Sequence, residues 1–261
     1  MPPALHTVLD GPKVGATPRG RLVLVHGFTQ TMRSWDPLVA VLSDTFEVKR
    51  VDVTGHGASS EVRLSFTETA AAIGEAGGPA TYVGYSMGGR LCLQLALDRP
   101  DVVQALVLVG ASPGLEDAGE RAQRRTADVS RADDIERTGT ADFIARWLAQ
   151  PLFASFTPDP GDLRARLANS PHGLAAALRS LGTGVQEPLW SRLPTLTMPV
   201  LVVVGGADER YARIGRQMSD IIGDNAQVVS LVGAGHAAHL EEPLSFCRLL
   251  VEFGDLHPSA P

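Results

Sequence analysis

The chain has 261 residues, 44% of them apolar, and a formal net charge of −6 from 23 basic and 29 acidic side chains. That length allows one α/β domain with room for an insertion, and the acidic balance argues against nucleic acid or an anionic membrane as the main partner. No apolar run approaches a transmembrane length, and Met1-Pro2-Pro3-Ala4-Leu5-His6 lacks the charged start and apolar core of a signal peptide.

In chain order, strand-like runs are expected at Leu5–Leu9, Leu22–Val25, Phe46–Val53, Ala80–Val83, Val103–Val109, Val200–Val204 and Val228–Val232. Helix-like runs fall between them at Asp36–Ser43, Thr67–Ala76, Met87–Leu97, Arg210–Ile222 and Leu244–Phe253. This alternation predicts a mostly parallel sheet covered by helices. Pro100 stops the helix that begins at Met87, and Pro243 suits the first turn of the last one. Cys92 and Cys247 each lie in an apolar helical pattern and read as unbridged core thiols in a reducing cytosol. From about Pro113 to Pro194 the composition turns to Arg, Ala and Leu at helical spacing, in Glu120–Asp128, Asp133–Gln150 and Leu163–Leu181. The expected organisation is a core of 1–112 and 195–261 with a helical cap of 113–194 roofing the site, the alternative being extra helices with no catalytic role. No metal-ligand spacing is visible and no cofactor is implied. The expectation is a cytoplasmic enzyme for a small molecule, of undetermined oligomeric state.

The chemistry concentrates in Gly84-Tyr85-Ser86-Met87-Gly88, between a strand-like and a helix-like run. A serine between glycines at such a turn is a nucleophile elbow: the turn is crowded, and residues without a Cβ let strand and helix pack closely. The hydroxyl then stands at a helix N-terminus, where partial positive charge favours a developing anion. Downstream, the apolar run Val200–Val204 ends in Gly205-Gly206-Ala207-Asp208, and the next strand leads into Gly233-Ala234-Gly235-His236. Upstream, Leu22–Val25 leads into His26-Gly27-Phe28, whose Phe28 N–H can join that of Met87 as an oxyanion hole. The order serine, acid, histidine, each after a strand, is that of an α/β-hydrolase fold with the triad Ser86, Asp208 and His236. His56, in Gly55-His56-Gly57, precedes the serine and is expected to shape its loop rather than to catalyse.

Arg90 lies one helical turn after Ser86. A cation in the first turn opposes the helix dipole by a few tenths of a kcal/mol. Its expected role is to bind an anionic substrate group, against the alternative of a salt bridge to a cap carboxylate such as Glu120. Among the cap arginines, helical spacing lets only some face inward, and Arg124 and Arg166 are the candidates, with Arg164 an alternative to the latter. Trp147 either lines the pocket or fills the core; Tyr85 either points its hydroxyl into the site or packs it against the sheet.

Several strings make the chain resemble the 2-succinyl-6-hydroxy-2,4-cyclohexadiene-1-carboxylate synthases of menaquinone biosynthesis. They are the elbow with its arginine, Gly84 to Arg90; Glu120-Arg121, Arg124-Arg125 and Asp128; Trp147 with Gln150-Pro151-Leu152-Phe153-Ala154-Ser155; Arg166-Leu167 with Asn169-Ser170-Pro171-His172-Gly173-Leu174-Ala175; Leu181-Gly182-Thr183-Gly184; and Ala234-Gly235-His236 with His239-Leu240-Glu241. The chain departs from that pattern at Thr54, at Glu209-Arg210-Tyr211 and at Ala237. The resemblance implies a lyase that eliminates pyruvate from 2-succinyl-5-enolpyruvyl-6-hydroxy-3-cyclohexene-1-carboxylate, whose three carboxylates would account for the arginines. Two rivals stand beside it. One is a carboxylic-ester or carbon–carbon bond hydrolase working through an acyl-enzyme on Ser86. The other is a non-catalytic binding protein of this fold, which the intact triad disfavours.

Overall fold

The computed structural model describes residues 4–12 and 17–257, so the Met1-Pro2-Pro3 part of the N-terminal reading lies outside the described residues. Seven strands form one sheet there: β1 (Thr7–Asp10), β2 (Arg21–Val25), β3 (Glu47–Val51), β4 (Ala80–Tyr85), β5 (Val103–Val109), β6 (Val200–Gly205) and β7 (Ala226–Leu231). Their order is β1-β3-β2-β4-β5-β6-β7, with β1 antiparallel to β3 and every other pair parallel. The central strands are mostly apolar because helices cover both faces. Along β2, Val23 and Val25 point to one core while Leu22 and Leu24 point to the other.

The first face carries α2 (Phe66–Gly77), α3 (Met87–Asp98) and α8 (Glu209–Ile222). The second carries α1 (Asp36–Leu42) and α10 (Pro243–Leu256), with the short α9 (Ala238–Glu241) before it. Between β5 and β6 lie α4 (Ala118–Thr138), α5 (Thr140–Leu148), α6 (Pro160–Leu167) and α7 (Pro171–Leu181). They enclose a small apolar core of their own around Ile135, Phe143, Ile144, Leu174 and Leu178.

The strand and helix expectations hold to within a few residues, β1 starting two residues later than expected and β7 two earlier. Two long helical runs are each split, and both corrections have local causes. Gly139, at φ 81°, ends α4 and opens α5, dividing Asp133–Gln150. Within Leu163–Leu181, the Ser170 side chain caps the Gly173 N–H and Pro171 fills the first helical position, so α7 starts afresh. Both cysteines are free and buried. Among the described residues no helix is long and apolar enough to cross a membrane.

What positions the site is the crossing of β4 and α3. A Cβ on Gly84 would lie 2.6 Å from the Gly88 carbonyl carbon, one on Gly89 would lie 2.6 Å from the Ala111 Cβ, and one on Gly88 would collide with the Val25 carbonyl oxygen. Gly88→Ala is therefore expected to cost about 3 kcal/mol, the upper end for forced overpacking. That corresponds to a drop in melting temperature of roughly 10 °C, readable by thermal unfolding. An unchanged melting temperature would contradict this packing account.

Candidate active site

Ser86 joins β4 to α3 at φ 50° and ψ −107°, a left-handed conformation that few side chains adopt. It leaves the hydroxyl at the mouth of α3, 3.3 Å from Nε2 of His236. His236 Nδ1 donates in turn to Oδ2 of Asp208 at 2.8 Å. Asp208 comes from the turn after β6 and caps α8, its Oδ1 accepting the Tyr211 N–H at 3.1 Å. Burial pushes the Asp208 carboxyl up, but the hydrogen bonds from His236 and the Tyr211 amide outweigh it and hold the group below its ordinary value. The loop carrying His236 is clasped by Glu241, whose two oxygens accept the N–H groups of Gly235 (2.9 Å) and Ala237 (3.0 Å). Ser86, His236 and Asp208, chosen from three separate loops, thus meet in one hydrogen-bonded series.

The loop after β2 is shaped by two buried histidines. His26 donates through Nδ1 to the Gly27 carbonyl and accepts the Val53 N–H at Nε2; His56 donates through Nδ1 to the Thr54 carbonyl and accepts the Thr29 N–H at Nε2. His56 is therefore a loop-forming residue, as its position in the chain suggests. The Gly27 amide is taken by Gln30. Among the described residues no acceptor meets the amides of Phe28 or Met87, the two donors expected of an oxyanion hole.

Over these groups lies a cavity of about 320 Å³, within the range of small-molecule sites. Its walls include Ser86, His236, Phe28, Met87, Tyr85, Trp147 and four arginines, Arg90, Arg124, Arg131 and Arg210, and no aspartate or glutamate. Arg90 is buried; Nη1 donates to Gln186 Oε1 (3.0 Å), Nη2 to the Leu181 carbonyl (2.7 Å), and the guanidinium lies over the Phe66 ring. It makes no ion pair among the described residues, so the salt bridge to Glu120 is not formed. Burial pulls its pKa down to about 10, with Arg124 adding to the fall and Tyr211 and Asp128 opposing it. Arg124 and Arg131 share Oδ1 of the buried Asp128 at 2.8 and 3.1 Å, two cations on one carboxylate. Trp147 packs on Phe28, Phe143 and Phe153, and its indole N–H is buried without a partner among the described residues. Tyr85 lies against the rings of His236 and His239.

Arg166 is placed differently from the expectation. Its Nε donates to Asp162 Oδ2 at 2.7 Å and its Nη1 to the Thr29 hydroxyl at 2.6 Å, with 3% of the side chain exposed, and it is not among the cavity walls. Asp162, one turn earlier, closes it into a buried pair. Arg164 is exposed and is not a wall residue either. The sequence reading missed Arg131, Arg210 and Tyr211. For Arg131 a signal existed: positions 124, 128, 131 and 135 recur at four, three and four residues and so share one face of α4. Among the described residues no group of three or more His, Cys, Asp or Glu side chains could hold a metal ion.

Residues 22–249 match the model of the alpha/beta hydrolase family. A Bacillus subtilis (strain 168) relative, provisionally named 2-succinyl-6-hydroxy-2,4-cyclohexadiene-1-carboxylate synthase, is 35% identical over 95% of this chain and 96% of its own. A Serratia proteamaculans (strain 568) protein with that synthase name is 30% identical over 92% of this chain and 94% of its own. The chain belongs to the alpha/beta hydrolase family and, within it, to the 2-succinyl-6-hydroxy-2,4-cyclohexadiene-1-carboxylate synthase family. The solved structure of MenH from S. aureus agrees, with a TM-score of 0.87, 28% identity, and coverage of 97% of this chain and 98% of that one. Departures from the synthase pattern are accommodated locally. The Thr54 hydroxyl pairs with that of Thr69 at 3.1 Å, and the Tyr211 ring lies 4.5 Å from the His236 ring, centre to centre.

The loop that carries Phe28 needs His26 and His56 neutral, since each accepts an N–H at Nε2. Burial lowers the His26 pKa to about 4, against its bond to the Gly27 carbonyl and helped by Arg166; burial and then His26 lower that of His56 to about 3. Both folded values lie below the unfolded one of about 6.5, so the contribution is complete above that pH and is lost as the pH falls below it. His26 alone accounts for roughly 3 kcal/mol. Urea unfolding at pH 7 and pH 4.5 should show a marked loss at the lower value; equal midpoints would refute the neutral pair.

Proposed function

We propose that the chain eliminates pyruvate from 2-succinyl-5-enolpyruvyl-6-hydroxy-3-cyclohexene-1-carboxylate, giving 2-succinyl-6-hydroxy-2,4-cyclohexadiene-1-carboxylate. The observation that carries this reading is a cavity with four arginines and no carboxylate on its walls, over a serine in hydrogen-bonded series with histidine and aspartate. An enzyme of net charge −6 has no general reason to concentrate cations there. A substrate with three carboxylates supplies one, because charge-assisted guanidinium–carboxylate bonds fix orientation as well as charge.

In this mechanism Ser86, Asp208 and His236 act as a triad in proton abstraction. The Ser86 hydroxyl gives its proton to His236 Nε2 as its oxygen takes the ring hydrogen beside the succinyl ketone, which restores the hydroxyl and leaves the imidazole protonated. The electron pair spreads to the ketone oxygen, where the N–H groups of Phe28 and Met87 meet the charge. Collapse forms the 2,3 double bond, shifts the ring double bond to 4,5 and breaks the bond to the enolpyruvyl oxygen. The imidazolium gives its proton to the departing enolpyruvate oxygen, and the enol tautomerises to pyruvate. Asp208 keeps His236 in orientation and stabilises its protonated form. The 3.3 Å Ser86–His236 separation is long, and such bonds tighten when substrate is bound. Arg90, Arg124 and Arg131 hold the carboxylates, while Trp147 and Tyr85 shape the wall. Helices α4–α7, residues 113–194 as a whole, serve as the cap that keeps water off the carbanion. Two free buried cysteines support a cytoplasmic setting.

Ser86→Ala should lower the rate of pyruvate release at least about a hundredfold, the usual scale of general-base assistance. Near wild-type turnover would remove the base assignment. Arg90→Ala should impair the tri-anionic substrate far more than a neutral ester such as p-nitrophenyl acetate, both measured as kcat/KM. Equal losses on the two would dismiss the anion-binding role, and covalent trapping of Ser86 with the cyclohexene substrate inert would favour the acyl-enzyme hydrolase.

A further inference from the structure

Thr29 follows Phe28 at φ 70°; with Ser86 it makes up the non-glycine residues of positive φ among the described residues. A β-branched residue in the left-handed region persists only when its surroundings over-determine it, and such strain gathers at functional sites. Here each polar group of Thr29 is gripped. Its N–H donates to His56 Nε2 (3.3 Å), its carbonyl accepts from Asn169 Nδ2 (2.9 Å), and its hydroxyl accepts from Arg166 Nη1 (2.6 Å). Arg166 is anchored from behind by Asp162, whose other oxygen accepts the Ser34 hydroxyl. Only a forked cation serves both ends: Nε meets the carboxylate while Nη1 reaches the threonine, which a lysine, as a point charge, does not reproduce. The amide next to this clamp is that of Phe28, which no protein acceptor takes among the described residues.

We propose that Arg166 is a positioning residue, not a substrate-binding one: with Asn169 and His56 it locks Thr29 in its strained conformation and so aims the Phe28 N–H at the oxyanion. This rests on the proposed use of that amide in catalysis. It assigns the buried Asp162–Arg166 pair to the chemistry while removing it from carboxylate recognition, which is left to the cavity arginines. A substrate-binding arginine would act on KM and only for anionic substrates. A clamp acts on kcat, and for any reaction that develops charge at the hole.

The test is Thr29→Val, which keeps the shape and removes the hydroxyl, with Thr29→Ser as the conservative variant. Thr29→Val should lower kcat about tenfold or more, for pyruvate release and for p-nitrophenyl acetate hydrolysis alike, with KM within about twofold. Thr29→Ser should recover most of the loss. Arg166→Gln combined with Asp162→Asn leaves no stranded charge. It should reproduce the loss, and adding Thr29→Val should deepen it little, because both changes cut the same bond. Wild-type kcat in Thr29→Val, alongside a KM rise confined to the tri-anion in the Arg166 variant, overturns the proposal and leaves the synthase reading intact. If the wild type releases no pyruvate, the synthase reading fails, and ester hydrolysis still decides the clamp. Independently of any activity, [15N]phenylalanine labelling should show the Phe28 amide resonance shifted or broadened in Thr29→Val; an unmoved resonance also overturns it.

Discussion

Everything at this site depends on a backbone crossing that tolerates no Cβ. β4 drives its last residues into the first turn of α3, and Gly84, Gly88 and Gly89 are close enough to neighbouring backbone or side-chain atoms that alanine at any of them would collide. The crossing forces Ser86 into the left-handed region, and the sheet can hold it there because β4 is buried along its whole length and hydrogen-bonded to β2 and β5 on its two sides. The hydroxyl is therefore presented by steric necessity. The same closeness brings the Met87 amide beside the loop after β2. It also sets Arg90 one turn above the serine, under the helices between β5 and β6.

A second constraint is electrostatic. Arg90 sits buried with neutral acceptors, and its guanidinium pKa is lowered to about 10 by the loss of solvent. A buried cation without a counter-charge is costly, and proteins retain one where a ligand supplies the missing anion. Arg124 and Arg131 add to the imbalance, since Asp128 neutralises only one of them. Arg166, by contrast, is fully matched by Asp162. The distinction between matched and unmatched arginines, more than their number, is what separates the residues proposed for recognition from those that serve architecture.

The elements and the hydrogen-bonded series were readable from the chain because each signal is local: apolar runs bounded by glycine, and a serine, an acid and a histidine each placed after a strand. Arg90 and Arg124 were readable from helical spacing. Arg131 lies on the same face as Arg124 but outside the basic string from Arg121 to Arg125. The split at Gly139 and the fresh start at Ser170-Pro171 carry ordinary capping signals that helical periodicity masks. Arg210 and Tyr211 reach the cavity because they lie in the first turn of α8, directly after Asp208, which caps it. Arg166 was misplaced because a cation four residues after Asp162 satisfies itself within its own helix, and a resemblance in sequence does not say which way such a side chain turns. The positive φ of Thr29 was illegible, since nothing in a threonine announces it.

A wall lined with cations and no anions also bears on how turnover ends. The reactant enters with three negative charges, and the reaction divides them, two on the cyclohexadiene and one on pyruvate. On the proposed reading, neither fragment can engage the full set of guanidinium groups that its parent did. With carboxylates held in that way, the grip would weaken at the moment the carbon–oxygen bond parts, and unloading the pocket would require no separate trigger beyond the cleavage itself.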